Sequence, residues 1–172
     1  MKNLTKKSLN ELAMTMNVIP EDEQDNYWGM YDNDCFWRCV SWLKTGDYSE
    51  AGAASYAFDF FVSAYSYNGL IHLSAYNDSG VDHADMRRFL TANGMVKGIN
   101  DPNQIVGVHH TSQLEYYRNN PNITPSSEHC LILKSKNSDG SFEMYDPQNN
   151  KHFTVSAIEA GFIHQLDLRA GS

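Results

Sequence analysis

The sequence is poor in basic residues and cysteines and has no long apolar run. Lysine and arginine together number 13, against 21 aspartates and glutamates, which gives a formal net charge of −8. This acidic balance lacks the basic surface that binds a nucleic-acid backbone, so we expect no nucleic-acid partner. No stretch reaches the roughly 18 apolar residues of a membrane helix, and the polar opening segment does not form an ordinary signal peptide. We therefore expect no membrane span.

Cysteine occurs only three times, as Cys35, Cys39 and Cys130. This odd and sparse set differs from the dense, even sets of disulfide scaffolds, so we expect free thiols. A zinc site made of these cysteines and His129 is disfavoured, because adjacent strand residues such as His129 and Cys130 point to opposite faces of a sheet. We expect neither a metal nor another cofactor.

Residues 1–29 differ in charge from the rest of the chain. Three lysines lie within the first seven residues, and then acidic residues accumulate and no basic residue occurs before Arg38. Ser8 and Glu11 have the spacing of a capping box in front of an amphipathic helix. We predict an amphipathic arm over 1–29 and one domain over 30–172.

The domain changes from a helical to a strand pattern along the chain. Apolar spacing and end signals predict helices over 35–44, 50–67 and 82 or 83 to 93, and β-rich runs at 105–109, 130–134, 142–145, 152–155 and 162–168 with a hairpin turn at 137–140. Helices followed by antiparallel strands indicate an α+β fold rather than a doubly wound one. The first helix is apolar around most of its circumference, with Arg38 on a narrow polar stripe, so it should lie in the core.

Cys35 is the first candidate for chemistry. It follows Asn33 and Asp34, either of which can cap a helix, and the positive end of a helix dipole favours a thiolate. The acids Asp32 and Asp34 oppose this, so a reactive thiolate needs an imidazolium partner. The alternative is a small buried residue of an apolar helix.

His129 and Asp146 are the second and third candidates. His129 opens one strand run, where it can present its imidazole at the edge of a cleft, and Asp146 ends the next run in front of a proline. A hairpin between the runs brings both together, so the carboxylate can orient the imidazole toward the thiolate of Cys35. The rival bases His109, His110 and His152 do not precede an Asp-Pro hairpin, and the alternative is an ordinary strand end and turn.

Three motifs in this order resemble the papain-like cysteine hydrolases: Asn-Asp-Cys-Phe-Trp-Arg-Cys-Val, Glu-His-Cys-Leu-Ile-Leu and Tyr-Asp-Pro-Gln. The chain is most similar to bacterial C39-type peptidases and papain-fold toxins or effectors. The resemblance implies a helical half whose nucleophile helix packs on an antiparallel sheet. It also implies a peptidase that cleaves a peptide or protein substrate through a thioester, with Cys35 as nucleophile, His129 as base and Asp146 as its orienting group.

Two departures from that family pattern affect catalysis. The position six residues before the nucleophile, where the family carries a glutamine as oxyanion donor, is Gly29, and a bulky Phe36 follows the nucleophile. Asn33 and Gln24 are the candidate substitutes, together with the backbone N–H of Cys35. The missing glutamine supports another class of function, an inactive papain-fold module that binds peptides.

Gln148 points to a third reading of the same fold. Papain-fold toxins that deamidate glutamine on other proteins often show a similar Asp-Pro-Gln, so the resemblance leaves a protein glutamine deamidase as an alternative. A plain turn residue explains Gln148 equally well.

The arm resembles the double-glycine-type leader peptides of exported bacterial peptides. Lys-Lys-Ser-Leu-Asn-Glu-Leu and Val-Ile-Pro-Glu-Asp-Glu-Gln carry this likeness, and Gly29-Met30 stands where the leader pattern has two glycines. The resemblance implies a transporter that reads the arm and a bacterial protein exported by a leader route; without that route the protein is cytoplasmic. An arm that packs on its own domain is the alternative.

Overall fold

The computed structural model describes residues 34–65, 81–98, 100–123 and 128–166. Its helices are α1 (Cys35–Thr45), α2 (Glu50–Tyr65), α3 (His83–Ala92) and the single-turn α4 (Glu115–Arg118), and its strands are β1 (Gln104–Val108), β2 (His129–Lys136), β3 (Phe142–Asp146), β4 (Lys151–Val155) and β5 (Ile163–Gln165). The predicted α+β class is confirmed, whereas α4, which lies between β1 and β2, was not predicted. The arm over 1–29, Gln24 and Asn33 lie outside the described residues. Within the described ranges, no helix has both the length and the apolar character needed to cross a membrane.

The strands form one antiparallel sheet in the order β4-β3-β2-β1-β5, so β2 lies at its centre. β2 and β3 are joined by the predicted hairpin turn. In it the backbone N–H of Asn137 donates to the Ser141 carbonyl at 2.8 Å, and Gly140 adopts a φ of 86°. The residue pair of this ladder that lies farthest from the turn is Ile132 with Tyr145. The hairpin therefore sets the end of β3 beside the start of β2.

Both faces of the sheet are covered. Ile132 of β2 belongs to the apolar cluster made with α1, α2 and α3, whereas the adjacent Leu131 belongs to a second cluster with Tyr117 of α4. This division follows from the alternation of side chains along a strand. Phe36, the bulky residue that follows Cys35, is fully buried and packs edge to face on Trp37 at 4.9 Å between ring centroids. The buried aromatic side chains fix α1 across the central strand.

The start of α1 is held by a buried ion pair. Asp34 occupies the cap position, but its carboxylate makes no capping hydrogen bond and instead accepts from Arg38 Nε at 2.6 Å. Arg38 also contacts Glu50 at 2.9 Å and donates to the Tyr48 carbonyl at 3.0 Å. Arg38 is thus buried rather than on an exposed polar stripe, because α2 and the loop before it cover that side of α1. At the other end Gly46 closes the helix as predicted, with a φ of 78°.

Candidate active site

Cys35 is the first residue of α1, and its sulfur lies against the start of β2. The backbone N–H of Cys130 donates to Cys35 Sγ at 3.3 Å. The first N–H groups of a helix have no acceptor within the helix, so this end of α1 favours a negatively charged sulfur. The predicted position at the start of a buried helix is what the structure shows.

His129 and Asp146 come together on one face of the β2–β3 hairpin. Continuing the ladder by one residue sets Asp146 opposite Leu131, and His129 lies two positions before Leu131 on the same face. Nε2 of His129 is 3.2 Å from Oδ2 of Asp146. Neither ring nitrogen makes a well-aligned hydrogen bond, so the two groups form a close ion pair. This pairing leaves Nδ1 as the nitrogen free to exchange a proton with a sulfur.

The carboxylate of Asp146 is held by four further donors. Oδ2 accepts from the Tyr117 hydroxyl at 2.7 Å and from Asn149 Nδ2 at 2.8 Å. Oδ1 accepts from the backbone N–H groups of Gln148 at 3.0 Å and Asn149 at 3.2 Å. These bonds satisfy a carboxylate that has no exposed surface. Gln148 thus contributes its backbone to the turn that fixes Asp146.

Sequence reasoning missed Tyr117, Asn149 and the role of Cys130. An aspartate that starts a turn commonly accepts the N–H groups two and three residues later, so the Asp-Pro-Gln-Asn segment carried a usable signal for Asn149. Tyr117 lies 29 residues before Asp146, and no local pattern connects them.

The charges of the three side chains are coupled. The pKa of Cys35 lies well below its ordinary value because Cys130, and after it the nearby His129, stabilise the charged sulfur, and together they outweigh the effect of burial. Burial lowers the pKa of His129, but Asp146 and Cys35 outweigh it and raise this pKa to about 10. Burial raises the pKa of Asp146, yet His129 and its other donors bring it down to about 2. The directions of all three shifts favour the charged forms, a thiolate, an imidazolium and a carboxylate.

The other two thiols differ from Cys35. All three cysteines are free and buried. Burial, and then the nearby charge of Cys35, raises the pKa of Cys39. The hydrogen bond that the thiol of Cys130 donates to Cys35, and then burial, raises the pKa of Cys130. Only Cys35 is set up as a nucleophile.

The three side chains are enclosed. Cys35 is 7% exposed, and His129 and Asp146 have no exposed surface. The sequence placed the imidazole at the edge of a cleft, and the structure differs, because the ring of Tyr117 packs edge to face on the ring of His129 at 5.8 Å.

The remaining sequence candidates lie elsewhere. Two of the rival bases stack on other rings: His152 lies 4.4 Å from Tyr145 and His109 lies 4.1 Å from His164, measured between ring centroids. The backbone N–H of Cys35 is the one suggested oxyanion donor within the described residues.

Comparison of the chain with protein-family models, curated proteins and solved structures finds no match in any of the three. The resemblance to papain-like hydrolases therefore stays a prediction from the quoted motifs.

Proposed function

We propose that the chain is a papain-like, cysteine-dependent hydrolase that cleaves a peptide amide. The observation that carries this proposal is the convergence of Cys35, His129 and Asp146 from one helix and two strands. The Cys35 sulfur accepts a hydrogen bond at 3.3 Å from the residue that follows His129, and His129 lies 3.2 Å from Asp146. A sulfur beside an imidazole that a carboxylate orients is the arrangement that nucleophilic catalysis by a cysteine requires.

The chemistry proceeds in two stages. The thiolate of Cys35 attacks the amide carbon, and the His129 imidazolium gives its proton to the leaving nitrogen as the C–N bond breaks. A water then gives a proton to His129 and attacks the thioester, which releases the acid and restores the thiolate. In this proposal the N–H groups at the start of α1 stabilise the oxygen that becomes negative in both stages.

Asp146 serves this scheme as a positioning residue. Its carboxylate fixes the His129 ring through Nε2, so that Nδ1 is left for the proton that moves between sulfur and substrate. The donors on Asp146 keep it ionised and in one orientation, which lowers the freedom of the ring in turn.

The same chemistry would deamidate a glutamine side chain, with ammonia as the leaving group. The Asp-Pro-Gln segment motivated this alternative, and Gln148 takes part in the turn through its backbone. Ammonia release measured beside the appearance of new N-termini in a protein mixture separates the two reactions. Ammonia without new termini would contradict the peptidase and support the deamidase.

A second candidate function is a peptide-binding module without turnover. The burial of Cys35 and His129 favours it, and so does Gly29 in place of the family's glutamine. In that case the buried ion pair is a structural part of the core.

The deciding experiment compares the full chain with Cys35→Ser and with Cys39→Ser. Each protein is incubated with a denatured protein mixture, and new N-termini and ammonia are counted by mass spectrometry and enzymatic assay. We expect product from the unchanged chain and from Cys39→Ser, which alters a buried thiol one turn later on α1, and none from Cys35→Ser. Equal product from the unchanged chain and Cys35→Ser would refute catalysis by Cys35. Peptide binding with no product from any of the three proteins would support the module.

A further inference from the structure

A second group of ionisable side chains lies outside the triad. His109, Glu128 and His164 bring their ligand atoms within 4.8 Å of one another, and we name them the histidine–glutamate cluster. Oε1 of Glu128 is 3.2 Å from His164 Nε2 and 3.5 Å from His109 Nδ1. His83 approaches the same carboxylate at 3.1 Å from the other side.

The strand register explains why the cluster forms. Val108 pairs with His129 and Gly107 pairs with His164, so His109 and Glu128 lie one residue beyond the last pair of the β1–β2 ladder. His109 is two residues after Gly107 and therefore shares its face with His164. The rings of His109 and His164 accordingly stack with an interplanar angle of 15°.

Gly107 provides the space that His164 occupies. A Cβ atom at position 107 would lie 2.5 Å from Nε2 and 2.8 Å from Cε1 of the His164 ring. Any larger residue would therefore push the imidazole away from Glu128. The glycine lets the ring lie flat over the strand with Nε2 toward the carboxylate.

We propose that the histidine–glutamate cluster binds a divalent transition-metal ion of the zinc type. Two imidazoles and one carboxylate suit zinc and its neighbours, whereas magnesium and calcium take oxygen ligands. A tetrahedral ion with bonds of about 2.0–2.1 Å separates neighbouring ligand atoms by about 3.3 Å. The 3.2 Å and 3.5 Å distances to Glu128 lie close to that separation. The rings of His109 and His164, which are stacked at 4.1 Å between centroids, would have to turn so that one nitrogen of each points at the ion. The fourth position is then open to water or to His83.

The cluster is reachable from solution. The side chains of His109, Glu128 and His164 are 63%, 34% and 28% exposed. The ion would join the ends of β1 and β2 to β5, in addition to the side-chain contacts among the three residues. This site is distinct from the triad, and it does not depend on the proposed hydrolase.

The test is zinc binding by the untagged full chain after treatment with a chelator, followed by titration calorimetry. Cobalt in place of zinc adds a visible absorption band that reports the ligand geometry. We expect one ion per chain, and at least about a tenfold loss of affinity in His109→Gln and in His164→Gln. Gly107→Ala should weaken binding without removing a ligand. His110→Gln and His152→Gln are the matched controls and should bind as the unchanged chain does.

Two further measurements keep the result unambiguous. His109 is the most exposed member, so circular dichroism of His109→Gln should show a folded protein even where His164→Gln is unstable. Cys35→Ser should bind zinc unchanged, since a loss there would assign the ion to the thiols and overturn the proposal. No binding at micromolar zinc, or equal binding by His109→Gln, would overturn it as well.

Discussion

The backbone N–H of Cys130 donates to the sulfur of Cys35 over 3.3 Å, although the two residues are 95 positions apart. This bond joins the first residue of the buried helix to the central strand. It also sets the distance between the sulfur and the residue before Cys130, which is His129. The position of the Cys35 sulfur relative to the His129 ring is thus fixed by the packing of α1 on β2.

Replacing His129 should change the acidity of Cys35. His129→Ala removes a hydrogen-bond donor and a positive charge that lower the pKa of the thiol, so this pKa should rise. Once the pKa lies above 6, each further unit of rise reduces the thiolate fraction at pH 6 about tenfold. The measurement is the rate of Cys35 alkylation between pH 5 and about 9, near the pKa of a free thiol, with the labelled residue located by mass spectrometry.

Cys39 and Cys130 are internal controls in that experiment. Their pKa values are raised, so neither should be labelled at a rate comparable to Cys35 in the unchanged chain. Because Cys35 is buried, the shape of its pH profile carries the information rather than the absolute rate. A profile that keeps its midpoint in His129→Ala would contradict the thiolate–imidazolium pair.

Removing the hydroxyl of Tyr117 should take away one of the hydrogen bonds that hold the Asp146 carboxylate. Tyr117→Phe keeps the ring but deletes the donor at 2.7 Å from Oδ2. A hydrogen bond to a charged group contributes about 1.5–3 kcal/mol, so the free energy of unfolding should fall by about that amount. Urea unfolding at pH 7 measures it. Tyr116→Phe, on the same helix turn, is the matched control, and an equal loss in both variants would argue against a specific bond to Asp146.

Asp34 should give the stability a distinct pH dependence. Burial, partly offset by Arg38, raises the pKa of Asp34 from 3.8 to about 6. A carboxyl group whose pKa is higher in the folded than in the unfolded state makes its full contribution to the free energy of unfolding below its unfolded pKa. For Asp34 this contribution is lost as the pH rises from about 4 to about 6. The loss amounts to ~3 kcal/mol. In Asp34→Asn, the free energy of unfolding measured with urea should not show this loss between pH 4 and 6.

The control for Asp34 is Asp59→Asn. It changes the net charge equally but alters an exposed residue of α2. Its profile should run parallel to that of the unchanged chain between pH 4 and 6. If Asp34→Asn also ran parallel, the raised pKa would be wrong.

Phe36 should matter for stability rather than for access to the sulfur. Its ring is fully buried against Trp37 and Phe89. Phe36→Ala leaves a cavity and should lower the free energy of unfolding by about 3–5 kcal/mol. Phe58→Ala on α2, where the ring is 42% exposed, should cost much less. Thermal and urea unfolding measure both, and similar losses would contradict the core position of Phe36.

Periodicity and end signals predicted the fold closely. The bounds of α1 and of the β2–β3 hairpin were correct to within about two residues, because an apolar helix between a cap position and Gly46, and a turn ending in Gly140, are local features. The pairing of His129 with Asp146 followed from the same hairpin. Burial of the site was not predictable, since Tyr117 reaches the pair through tertiary packing.

The histidine–glutamate cluster shows a second limit of sequence reasoning. His109 and Glu128 become neighbours only through the β1–β2 register, and His164 joins them from a strand on the other side of β1. The spacing of these residues in the chain follows no metal-binding motif. The sequence therefore gave no reason to expect metal ligands there.

Because helix α1 supplies the sulfur and the β2–β3 hairpin supplies the imidazole, neither half of the chain can make the thiol acidic alone. The midpoint of the pH profile of Cys35 labelling is thus a chemical readout of assembly. During refolding this midpoint should fall only when the early helices dock on the late hairpin, at a moment that the helical signal of circular dichroism does not mark.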